Sequence, residues 1–149
     1  LMSLPEYSMN LYGSHGRSDI NDEILVNNIT HSNSNIKFKG QLKNYNKFFK
    51  ENHIYHNITL YDSCNYFAII SLLNGVIPIF SKNSNTLEYI PSYPFITDHS
   101  IDSIKNVLNT IADTPKNKLK DILNGTIPSL QRFNDKDTKV LYLNFLNSF

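Results

Sequence analysis

The stretch that most constrains the fold runs from Ile58 to Ile90, ITLYDSCNYFAIISLLNGVIPIFSKNSNTLEYI. It opens on Ile58, Thr59 and Leu60, a β-branched and apolar run that reads as a buried strand. Asp62, Ser63, Cys64 and Asn65 follow as a polar corner, rich in side chains that accept hydrogen bonds from free backbone N–H groups and so predict a helix start. Tyr66 to Leu73 is almost wholly apolar, Asn74-Gly75 supplies a C-terminal stop, and Val76 to Phe80 is a second buried run. Strand, helix and strand within about 25 residues is close to the minimum for a parallel crossover. Ligands of parallel sheets bind beyond the carboxyl ends of the strands, which makes the corner at Asp62 to Tyr66 the expected place for binding or chemistry.

The flanking segments repeat the alternation. Met9 and Leu11 alternate with polar neighbours up to Gly13, which predicts a strand over Met9 to Tyr12 and a turn through Gly16. Ser18 is placed to cap a helix whose first turn carries Asp19, Asp22 and Glu23, with fraying expected near the polar run His31 to Asn35. Ile36 and Phe38 alternate with Lys37 and Lys39 before Gly40, a strand with one solvated face. Tyr45, Phe48 and Phe49 share one side of a short helix. Thr86 to Ile90 reads as a short helix or turn, and Phe95 to Thr97 as a last strand set off by Pro91 and Pro94.

Ser100 caps the clearest amphipathic helix, with Ile101, Ile104, Val107, Leu108 and Ile111 on one stripe. Thr114-Pro115 starts another, with Pro at the first helical position and Gly125 as its end. In the tail, about 137–149, Leu141, Tyr142, Phe145, Leu146 and Phe149 share one face and predict a docked helix. Alternating strands and helices imply an α/β fold with a parallel sheet, and the 149 residues are one domain's worth.

Composition excludes several function classes. A net charge of +1 lacks the basic face of a nucleic-acid binder, and the hydrophobic share of 40% suits a globular protein. No apolar run approaches the ~20 residues that span a bilayer, so no transmembrane segment is expected. With no secretory leader visible, a cytoplasmic protein is the expectation, although the compartment stays open. A single cysteine rules out an internal disulfide framework. Cys64 at a helix start would have a lowered pKa, yet no motif ties a histidine to it, so a loop or binding role is favoured over a nucleophile. His15, His31, His53, His56 and His99 show no metal-ligand spacing, and His53 with His56 is too slight a pair for zinc. Most read as surface or capping residues, and His15, at a strand end, stands out.

From Leu4 to about Asn124 the chain resembles most of the C-terminal, nucleotide-sugar-binding half of a GT-B glycosyltransferase of the group 1 type. The pieces that carry the likeness are LPEYSMNLYGSHG, IKFKG, NYNKFF, NITLYDSCNYF, SLLNGVIPIFS and NTLEYI. They stand in the family's order and at similar spacings, and their order is more specific than any one of them. The resemblance implies a Rossmann-like parallel sheet sandwiched by helices. The family's first strand-helix unit, with basic residues for the diphosphate, has no counterpart here, which favours a piece of a longer chain whose acceptor-binding N-terminal domain lies upstream. Gly-Val-Ile-Pro-Ile also resembles exostosin-like transferases and fucosyltransferases.

What the likeness implies about the site follows residue by residue. The donor phosphates would lie on the helix start at Ser63, Cys64, Asn65 and Tyr66, where backbone N–H groups attract anions and no obligatory metal or other cofactor is required. Gly40 would let the backbone approach a base and Gln41 would bond its edge. The family's two acids, separated by seven positions, fall on Asp62 and Ile70. The first is shortened, the second is absent, and Ser71 beside it is left to bond a ribose hydroxyl. Glu88 matches an acid that follows this strand in the family, with capping or pairing favoured over catalysis, and the catalytic residues themselves stay unassigned. The implied function is sugar transfer from a nucleoside diphosphate-sugar to an acceptor. The alternative is a noncatalytic α/β binding or interaction module.

Overall fold

Every residue of β4 (Ile77–Ser81) is buried, and this strand is the centre about which the larger part of the chain is built. The computed structural model describes residues 7–13, 28, 31–32, 34–57 and 65–133. The chain divides into two compact units, Leu1–Phe48 and Phe49–Phe149. The described strands are all parallel and form two small sheets, so the protein is α/β.

In the first unit, β1 (Met9–Leu11) pairs with β2 (Ile36–Phe38) in parallel, Met9 opposite Ile36 and Leu11 opposite Phe38. Of the helix expected from Ser18, only Asn28, His31 and Ser32 are among the described residues, and all three are helical. Gly40, just past β2, sits at φ +66, a conformation open to glycine, and its carbonyl accepts from the N–H of Gly13 at 3.0 Å. Asn44 Oδ1 accepts from Lys47 N at 2.9 Å and so caps α1 (Tyr45–Glu51). Phe48 of that helix is buried and meets the edge of Tyr12 with ring centroids 5.4 Å apart.

In the second unit, β3 (Ile54–His56), β4 and β5 (Ile96–Thr97) lie side by side in that order. β3 is thus Ile54–His56, and the strand expected at Ile58 to Leu60 lies outside the described residues. A three-residue strand is defined by its partner more than by its own composition: Ile77 N donates to His53 O at 2.9 Å, and the register sets His56 opposite Ile79. Among the described residues, two helical elements lie between the three strands. α2 (Tyr66–Leu73) joins β3 to β4, and a 3-10 turn, Asn85–Glu88, lies between β4 and β5.

Proline in a central strand is ordinarily excluded, because it removes a ladder donor. Pro78 is tolerated in β4 for a local reason. The N–H groups on the β5 side of the strand belong to Phe80, which donates to Phe95 O, and Lys82, which donates to Thr97 O. Pro78 precedes them on that side, before β5 has begun, and its carbonyl accepts from the Tyr93 hydroxyl at 2.8 Å instead. Tyr93 also meets the edges of Phe80 and Phe95 at 5.4 and 5.5 Å, an aromatic cluster at the middle of the core. Burial of its ring pushes the Tyr93 phenol well above its usual pKa, so the hydroxyl stays a donor.

α3 (Ile101–Asp113) buries Val107, Leu108 and Ile111, and Ser100 Oγ caps it by accepting from Ser103 N at 3.2 Å. α4 (Lys116–Thr126) follows, with Pro115 as its cap residue and not its first helical one. Gly125 does not end this helix. It lacks the positive φ of a stop signal, the helix runs on to Thr126, and a 3-10 turn over Ile127–Phe133 continues from it, burying Leu130. The expected tail helix at 137–149 lies outside the described residues. No described helix is long and apolar enough to cross a membrane.

Candidate functional site

The carboxyl edge of the β3-β4-β5 sheet carries buried polar side chains, with Ser81 ending β4 and Thr97 ending β5. A helix that joins two parallel neighbours runs back against them, so α2 begins at this edge. Its start is well determined. Asn65 is buried, and its Oδ1 accepts from Ala68 N at 2.9 Å, the N-cap bond that the polar corner predicts. Its own N–H donates to Thr86 Oγ1 at 3.1 Å, which fastens the helix start to the 3-10 turn. The far end closes as a Schellman motif: Val76 N donates to Ser71 O at 2.9 Å and Gly75 N to Leu72 O at 3.1 Å, with Gly75 at φ +78. Tyr66, in the first turn, is exposed.

Ser71 faces the other way. It is fully buried, and its Oγ has no hydrogen-bond partner, so a ligand would reach it only through an opening of the helix-sheet contact. Gly40 and Gln41 belong to the first unit, Gln41 being exposed. Glu88 is exposed at the end of the 3-10 turn. Asp62, Ser63, Cys64 and His15 lie outside the described residues.

Two histidines that carried no spacing signal meet at the same edge. His56 closes β3 and His99 follows β5, and their rings stack with centroids 5.4 Å apart and planes 23° from parallel. The Nε2 atoms of both are buried and unbonded. Burial first, and then the neighbouring His99, pull the His56 imidazole from 6.5 down to about 4, so it is neutral near pH 7. His99 holds φ +69, a left-handed conformation that a side chain other than glycine rarely adopts. The segment around it fixes that conformation. His99 N donates to Thr97 Oγ1 at 2.9 Å, Thr97 Oγ1 donates to Ser103 Oγ at 3.1 Å, and Ser100 N donates to Asp98 Oδ1 at 2.9 Å. The bonds from Ser100 hold the Asp98 carboxyl below its usual range. A stacked, half-buried pair is a different environment from the surface or capping position expected for these histidines, and only long-range proximity creates it.

Among the described residues no group of three or more His, Cys, Asp or Glu side chains could hold a metal ion. Fold and site together define an α/β protein with parallel strands and a polar carboxyl edge built by α2, the 3-10 turn and the histidine pair. No protein-family model, curated protein or solved structure matches the chain.

Proposed function

We propose that the chain is the donor-binding domain of a GT-B glycosyltransferase, of Rossmann-like fold, which binds a nucleoside diphosphate-sugar and, with an acceptor-binding domain, transfers the sugar. The observation that supports this reading is the β3-α2-β4 unit: two parallel strands joined by a helix whose start is capped by Asn65 at the carboxyl edge. The helix dipole there favours the diphosphate. Lys82, exposed just past β4, adds positive charge at that edge without a metal ion. Ser63, Cys64 and Tyr66 would complete the phosphate side, and Asp62 would lie near the donor sugar.

The test is titration with UDP, GDP and their sugar conjugates, followed by calorimetry, on wild type, Asn65→Asp and Asn65→Ala. Asn65→Asp puts a negative charge beside the phosphates and should weaken binding most. Asn65→Ala should weaken it less, because it adds no charge and the helix dipole remains. Equal affinity in all three proteins, or none at millimolar ligand, would favour the second reading, a noncatalytic α/β module that binds a partner. The burial of Ser71 favours that second reading, since it takes away the side chain assigned to the ribose.

A further inference from the structure

α2 is apolar on its outer side as well as on its core side. Ala68, Ile69 and Leu72 are buried, whereas Tyr66, Ile70 and Leu73 are 62%, 44% and 54% exposed. These three stand at positions i, i+4 and i+7, one stripe along the helix, and the helix carries no charged residue at all. A surface helix of a globular protein normally turns polar residues outward, so a stripe of this kind is built to be covered.

The chain itself carries a matching segment. The 3-10 turn Ile127–Phe133 packs against α2, with Leu130 buried, so the residues that follow it start beside that helix. Leu141, Phe145 and Phe149 recur at intervals of four, and the run LYLNFLNSF over 141–149 is also free of charge, so nothing in it repels the stripe electrostatically. A helix rises roughly 1.5 Å per residue, and residues 134–149 are therefore long enough to span all of α2. A tethered segment is also present at an effective concentration on the order of millimolar, which a second copy of the chain reaches only in concentrated solution.

We infer that residues 134–149 dock on the outer stripe of α2 through Leu141, Phe145 and Phe149, covering Ile70 and Leu73. The contact is intramolecular and needs no ligand, so it stands or falls apart from the donor site.

Hydrogen exchange of the whole chain, read by mass spectrometry at several protein concentrations, tests it. In wild type the amides of 134–149 should be protected, equally at all concentrations. Ile70→Glu with Leu73→Glu should speed their exchange roughly ten-fold or more while β4 and α3 keep their protection. Phe145→Glu, which alters the segment and not the helix, should do the same. Three outcomes overturn the inference: unprotected amides over 134–149 in wild type, protection that neither variant lowers, or protection that rises with concentration alongside a dimer in sedimentation, which would assign the stripe to a second copy.

Discussion

The backbone N–H of Asn65 donates to the Thr86 hydroxyl across 3.1 Å, a bond between residues 21 positions apart that joins the start of α2 to the 3-10 turn after β4. Thr86 is fully buried, so its removal leaves a buried donor unsatisfied. Thr86→Val, which keeps the shape, should destabilise the protein by about 1–3 kcal/mol, read as a lower midpoint in urea at unchanged slope. An unchanged midpoint would mean that water replaces the hydroxyl.

The cap on the same residue is a separate contribution. Asn65→Ala removes the acceptor for Ala68 N and should cost about 1 kcal/mol. Because the cap and the Thr86 bond meet at one residue, the double variant should depart from additivity, which a double-mutant cycle measures.

Stability should depend on pH through His56. Its folded-state pKa, about 4, lies below the unfolded value of 6.5, so between those values the unfolded chain binds more protons than the folded one. The contribution is fully present above pH 6.5 and is lost as pH falls toward 4, on the order of 2 kcal/mol after allowance for solvent screening. Denaturant titrations at pH 7.5 and 4.5 check this. His56→Phe should flatten that part of the profile; a profile that keeps its slope would assign it to other groups.

Tyr93→Phe isolates the bond that satisfies the Pro78 carbonyl. The ring packing is kept and only the 2.8 Å bond to the Pro78 carbonyl is lost. A cost of about 1 kcal/mol is expected, measured by thermal or denaturant unfolding. Little or no change would show that the carbonyl finds another donor.

Ser71→Ala separates the two functional readings. The buried Oγ has no partner, so its removal should be neutral or slightly stabilising. If nucleotide-sugar affinity, once detected, stays unchanged in Ser71→Ala, the ribose is held elsewhere; a large loss would place this face of α2 at the ligand.

Much of the second unit is decided within four or five residues of chain, and those parts were legible in the amino-acid order. The Asn65 cap, the Gly75 stop, the Ser100 cap and the buried run that became β4 all rest on bonds or periodicities local to each element. Tertiary structure decided the rest. β3 forms at Ile54–His56 because β4 pairs with it there, and a short strand has too few residues for its own pattern to outweigh that partner. Gly125 stays helical, since a glycine ends a helix only where the chain takes up a positive φ. Asn65 with Thr86, and His56 with His99, are joined across tens of residues by the packing of parallel strands, and such a distance leaves no periodic trace in the sequence. The parallel α/β character was thus written locally, whereas the polar edge at which His56 and His99 meet exists only once the strands lie side by side.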